Sequence, residues 1–325
     1  MGTLASVIEP SNSEEAELTA TLEATASTRV DTKRTVRRGG LAVPWWFLLP
    51  GLVIYLFVVI WPTIQGAVFA FTDWNGLTSD VAFVGFDNFA RVFRDEDAVS
   101  AIRNTLVLAF VVTLFQSVIG LLLALGLNKK LKSRNVLRTV FFLPVVLTPL
   151  VAGYVWSYLL APQGAINVLL ESVGLGFLSH DWLGDPATAL MAICVTIIWQ
   201  FSGYSMVIFL AGLQAIPDEL MEAAVIDGAG PFKRFTDVIF PLLNGSVVVV
   251  LLLTMISSLN QFAQVYVMTK GGPFHSTETI STLILKKGFQ AGDYPYGTAL
   301  AVVMAIIVGI FAIIQYRVTA KKVNE

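Results

Sequence analysis

The stretch TLVLAFVVTLFQSVIGLLLALGL, Thr105–Leu127, runs for 23 residues without an Asp, Glu, Lys or Arg. A helix that crosses a bilayer needs about 20 consecutive apolar residues. Five further stretches are equally free of charge: Trp45–Phe71, Thr139–Leu160, Ala187–Leu213, Val247–Met268 and Thr298–Tyr316. Composition agrees, with 55% hydrophobic and only 14% charged residues, against roughly 25% charged in a soluble domain. Mean hydropathy is +0.73. In lipid each backbone polar group must be satisfied within the protein, which leaves helices and closed barrels. Runs of this length and continuity predict an all-α polytopic membrane protein with six transmembrane helices, and exclude an alternating β-barrel.

Charge and residue counts narrow the function. A formal net charge of −2 argues against a nucleic-acid-binding chain. The single cysteine, Cys194, lies within a span, so neither an intrachain disulfide nor a thiolate cluster can form. Two histidines, His180 and His275, are too few for a His-based zinc site. With the N-terminus inside, fifteen Lys and Arg fall in inner segments and six in outer ones, which predicts that both termini are cytoplasmic. Residues 1–43, rich in Glu, Thr, Ser and Ala, are expected to form a disordered cytoplasmic tail. The transmembrane domain then covers 44–325, with an uncleaved first span. Outer segments are Thr72–Asn104, Ala161–Pro186 with a short helix over Ala165–Val173, and Thr269–Gly297 with a turn at Gly271–Gly272–Pro273. Pro50, Pro62, Pro144 and Pro149 should kink their helices. Asp95, Glu96 and Asp97 are expected as a solvated face.

One inner segment, 214–241, is long and patterned. Pro217 suits a first helical position, and Asp218 and Glu219 suit the positive end of the helix dipole. The helix should run through Glu222, Ala223 and Ala224 to a left-handed stop at Gly228. Pro231 can start a second helix, and Pro241 begins the entry into the fifth span. Physics alone leaves two readings: a docking element, or a packed amphipathic loop.

These residues carry a resemblance. Glu222–Ala223–Ala224, three residues, Gly228, nine residues, then Val238–x–Phe240–Pro241 resembles the EAA loop of binding-protein-dependent ABC importer permeases. Val238 and Phe240 replace that pattern's Ile and Leu. Further segments resemble the carbohydrate branch, of the maltose and multiple-sugar type: Asp73–Trp74–Asn75, Phe86–Asp87–Asn88–Phe89, Asn104–Thr105, Arg138–Leu143–Pro144, Lys270–Gly271–Gly272–Pro273 and Thr277–Glu278–Thr279. The resemblance spans about Pro44 to the end. It implies a type I ABC importer permease fold in a bacterial or archaeal cell membrane, with a second homologous permease, a cytoplasmic ABC ATPase dimer and an external sugar-binding protein as partners. It also implies that Glu222, Ala223, Ala224, Gly228 and Pro241 couple the chain to the ATPase. No phosphate-cradling G-x-x-x-x-G-K-[ST] loop occurs. The chain is therefore expected to be a non-enzymatic transport subunit without a cofactor, ATP and magnesium being held by the partner.

Polar residues inside spans are costly and raise functional suspicion. Gln200, Ser202, Tyr204, Thr254, Ser257, Ser258, Asn260 and Gln261 offer hydroxyls, amides and a ring without a formal charge, which suits a neutral polyol. By resemblance to the larger permease subunit of the maltose transporter, sugar-contacting positions fall at Gln200, Phe201, Tyr204, Thr254 and Ser258, of which only Tyr204 keeps the same residue. The plainer reading is that the hydroxyls bond their own helix and the amides join helices. At this level a sugar, as a di- or oligosaccharide, competes with glycerol phosphate or another polyol, and with a secondary transporter.

Overall fold

The computed structural model describes residues 45–76, 81–129 and 131–323. The tail expected over 1–43 lies outside the described residues. Backbone contacts divide the chain into Met1–Phe57 and Val58–Glu325. In the first unit the described residues are helical, and none of Leu49–Tyr55 is buried. They open α1 (Trp46–Phe69). Its π-helical turn at Leu56–Ile60 falls just before Pro62, where a missing N–H disturbs the regular ladder.

The second unit continues with α2 (Asp87–Arg94) and α3 (Glu96–Leu127). Next come α4 (Arg134–Val146), α5 (Pro149–Leu159), α6 (Ala165–Ser172) and α7 (Ala189–Gln214). Then follow α8 (Asp218–Ile226), α9 (Pro231–Leu242), α10 (Asn244–Leu259) and α11 (Ala263–Met268). The chain closes with α12 (Ile280–Leu283), a π-helical turn over Ile284–Gln290, and α13 (Tyr294–Val323). Among the described residues α1, α3, α7 and α13 contain straight apolar spans, and two bent pairs raise the total to six if each counts once.

The bent pairs depart from the simple runs. α4 and α5 meet at 98°. Thr148, preceding Pro149, takes the extended backbone that a following proline favours, and its hydroxyl accepts from Val151 N at 3.4 Å. α9 and α10 meet at 69°. The fifth run, expected as one span over Val247–Met268, is interrupted after Leu259, and Ala263–Met268 forms the separate α11. Freedom from charge does not reveal the break, although the polar Asn260 and Gln261 stand in it.

α3 and α7 form the central pair. Leu108 and Val112 share one buried cluster with Ile193 and Ile197, and Ala124 and Leu127 share another with Met206 and Phe209. α4 crosses α7 at Gly203, where an added Cβ would fall on the carbonyl oxygen of Phe141. Arg138 Nη2 donates to Leu127 O at 3.0 Å, satisfying a carbonyl at the C-terminus of α3.

The motifs of the outer segments are hydrogen-bond staples. Asn88 Nδ2 donates to Ala70 O at 3.0 Å and Thr72 O at 2.9 Å. Asn104 Nδ2 donates to His275 O at 3.2 Å and Glu278 O at 3.1 Å, and Thr105 Oγ1 accepts from Ile280 N at 3.0 Å. Of the expected solvated face, Glu96 is exposed but Asp95 and Asp97 are engaged. Asp95 caps α3 by accepting from Asp97 N at 3.0 Å and takes the Tyr296 hydroxyl at 2.7 Å. Burial opposes ionisation of Asp95, yet these bonds outweigh it and hold the carboxyl below its usual value. Lys287 reaches Asp97 at 3.2 Å, Arg91 meets Asp293 at 2.6 Å, and Lys286 pairs with the fully buried Glu278. Among the described residues the ion pairs gather at this end, opposite α8.

Candidate functional site

Four elements enclose a cavity of about 300 Å³, near the lower limit for small-molecule sites. α7 contributes Ile197, Phe201 and Tyr204, and α10 contributes Leu253, Thr254, Ser257 and Ser258. Helical spacing brings Phe201 beside Tyr204 and Thr254 beside Ser258. Gln116 of α3, Val145 of α4 and Gln261, in the break after α10, complete the wall. The lining residues carry no formal charge. Tyr204 is 40% exposed, which leaves its ring available to a ligand.

Of the five pathway residues named from sequence, Phe201, Tyr204, Thr254 and Ser258 line this cavity, and Gln200 does not. Gln200 is fully buried and donates to Leu147 O at 2.8 Å, a carbonyl freed by the break between α4 and α5. Thr254 Oγ1 donates to Val250 O at 2.7 Å, one turn back on its own helix. Sequence reasoning missed Gln116 and Gln264. The first stands out only as the one amide of Thr105–Leu127, and the second lies three residues beyond Gln261 in the interrupted run. A larger groove of about 670 Å³ borders α3, α4 and α7. Apart from Ser202 and the Trp199 indole its lining is apolar, so it offers a polyol little to bond.

The second candidate site is α8 with its turn. Asp218 and Glu219 occupy the first turn, and Pro217 stands just before it. Gly228, at φ +75°, ends the helix in a Schellman motif, with Gly228 N donating to Val225 O at 3.0 Å and Ala229 N to Ala224 O at 2.9 Å. Pro231 begins α9, and a π-helical turn at Phe235–Ile239 precedes Pro241. Glu222 and Ala223 are exposed, whereas Ala224 is buried. Beside them Val225, Ile226 and Phe232 are exposed, the last two by 84% and 80%.

Residues 116–325 match the family described as binding-protein-dependent transport system inner membrane component. The chain belongs to this family of permeases. The permease is 32% identical to the multiple sugar-binding transport system permease protein MsmF of Streptococcus mutans, covering 85% of this chain and 95% of that protein. It is 30% identical to the sn-glycerol-3-phosphate transport system permease protein UgpA of Pectobacterium atrosepticum, over 87% of this chain and 95% of that one. In fold, the permease is similar to a chain of a bacterial alginate ABC transporter, solved with an alginate pentasaccharide-bound periplasmic protein. That chain matches with a TM-score of 0.74 at 25% identity, over 85% of this permease and 93% of the other. The permease is thus an inner-membrane component with an all-α importer fold.

Proposed function

We propose that this permease is one of two homologous membrane subunits of an ATP-driven importer, and that it carries a neutral sugar, a di- or oligosaccharide, across the cell membrane. The observation that carries this reading is the cavity bounded by Phe201, Tyr204, Thr254, Ser258 and Gln261. Hydroxyls and amides suit sugar hydroxyls, and rings suit the apolar faces of a pyranose. Glycerol phosphate would favour a basic partner, and no Lys or Arg belongs to this lining. An external binding protein delivers the sugar, and a cytoplasmic ATPase dimer binds ATP and magnesium. The exposed apolar side chains around Glu222 and Ala223 form the docking face, since such a patch marks a contact surface. Closure of the ATPases then moves α7 and α10, which flank the loop, and alternates access to the cavity. Uptake by the assembled complex, measured over a panel of neutral sugars and glycerol phosphate, tests this reading. Transport of glycerol phosphate with no transport of any neutral sugar would overturn it.

Tyr204→Ala removes both a hydroxyl and a ring. The half-saturation for uptake should rise roughly tenfold, the sum of a lost hydrogen bond and lost apolar contact. Unchanged kinetics would remove Tyr204 from the path. Both termini are cytoplasmic in this reading, so a cysteine at exposed Ser172 should react with an impermeant maleimide in intact cells, and one at exposed Ser133 should not. The native Cys194 is buried, which keeps the background low. The reverse labelling pattern would invert the topology.

A further inference from the structure

A run of side-chain amides leads from the cavity wall to the break between α4 and α5, and its far end dictates its direction. The Leu147 carbonyl can only accept, so the Gln200 group 2.8 Å from it is the NH₂. Gln200 Oε1 then faces Gln264 and accepts from its Nε2 at 2.7 Å. Gln264 Oε1 in turn accepts from Gln261 Nε2. Gln261, on the wall, is thereby held with Oε1 as its acceptor group. Gln200 and Gln264 are both fully buried, where turning one amide round would set donor against donor without water to relieve it. Two other wall groups are anchored in the same sense. Gln116 Nε2 lies 3.3 Å from Phe201 O and 2.9 Å from Ser205 Oγ, and the Thr254 hydroxyl donates to Val250 O. Of the six polar residues of the wall, Gln116, Thr254 and Gln261 thus direct hydrogens into the protein and keep acceptor oxygens, while Tyr204, Ser257 and Ser258 add hydroxyls that both donate and accept.

We propose that Gln200 and Gln264 are positioning residues that fix the amide of Gln261, and that the cavity so polarised selects uncharged, hydroxyl-donating substrates over carboxylates and phosphates. This rests on the reading of the cavity as the sugar path. It separates the permease from its glycerol-phosphate relative and from the structural neighbour whose cargo is an acidic polysaccharide. A sugar hydroxyl donates to the acceptor oxygens kept by Gln116, Thr254 and Gln261, whereas an anion placed against those three groups meets lone pairs.

The test uses the assembled complex and the best-transported member of a panel of maltose, trehalose and raffinose, with its singly deoxyfluorinated analogues. Fluorine keeps the bulk of a hydroxyl and cannot donate. The binding protein is the same in every arm, so its own preference cancels when the penalty of an analogue is compared between wild type and variant. In the wild type at least one analogue should show a half-saturation about three- to tenfold higher than the parent sugar. In Gln264→Met and Gln200→Met the Gln261 amide is free to turn, and that penalty should fall below about twofold. Gln264→Glu should retain it. Burial favours the neutral carboxyl, which supplies one donor and one acceptor as the amide does. An unchanged penalty in both Met variants overturns the relay. If Gln261→Met also shows wild-type penalties for every analogue, the cavity reading falls with it, and the two failures are told apart. Uptake of the uronic-acid counterpart of the sugar should be at least about tenfold weaker than that of the parent in the wild type and should recover in Gln264→Met, and an equal disadvantage in both proteins would overturn the proposed selectivity.

Discussion

Replacing Gly203 with valine should prevent the permease from assembling. The crossing of α4 over α7 brings the Phe141 backbone to where a Cβ would stand. A side chain can rotate away from an intruding methyl, but a helix backbone can yield only by moving the helix. Overpacking typically costs about 1–3 kcal/mol where side chains adjust, and this site lacks that escape. The separation would also disturb Gln200, three residues earlier on α7, which satisfies the Leu147 carbonyl. The yield of monodisperse protein after detergent extraction should drop at least about tenfold, as several kcal/mol would imply. Gly126 is the control, because a Cβ there meets nothing within 4 Å, and Gly126→Val should extract like the wild type. Normal yield of Gly203→Val would refute the close crossing.

The second large effect is expected at the turn that ends α8. Gly228 stands at φ +75°, a conformation that costs a residue with Cβ roughly 1–2 kcal/mol and a β-branched one more. Gly228→Val should therefore reorient the segment between α8 and α9 without touching the membrane core. Glu222→Lys reverses the charge of an exposed side chain and leaves the fold intact. At equal membrane levels, both variants should lose at least about tenfold in sugar uptake, together with sugar-stimulated ATP hydrolysis. Association with the binding protein should persist, since the opposite end is unaltered. A wild-type ratio of transport to hydrolysis in both variants would deny the loop its docking role.

Much of this architecture was legible because the bilayer demands long uncharged runs. α3, α7 and α13 contain the runs that composition marks. α8, its stop at Gly228 and the start of α9 at Pro231 follow from local backbone chemistry, which needs no knowledge of the rest of the chain. What escaped was long-range. The break after Leu259 sits in a run without charge, where Asn260 Nδ2 donates to Ile256 O at 2.7 Å and Gln264 is tied to Gln200 on another helix. Gln200 was named for the pathway as a polar residue within a span and by resemblance, and it lies outside the cavity lining. Its partner is a carbonyl 53 residues away, exposed by a proline on another helix. Asp95 looked solvated because Tyr296 lies 201 residues further along the chain. The cavity lining was partly legible, since Phe201, Tyr204, Thr254 and Ser258 share helical faces. Gln116 was not, because nothing in α3 alone says which side faces α10.

The ion pairs gathered at the ends of α2, α3 and α13 divide the molecule mechanically. Arg91 both binds Asp293 and lies 4.8 Å from the centre of the Tyr296 ring, while Lys287 stands between Asp95 and Asp97. These elements are thus joined at one rim, like the sticks of a fan. In the proposed importer the push of an ATPase would arrive at α8, at the far rim, and α7 and α10 could follow it without rupture of these ion pairs, none of which lies on them.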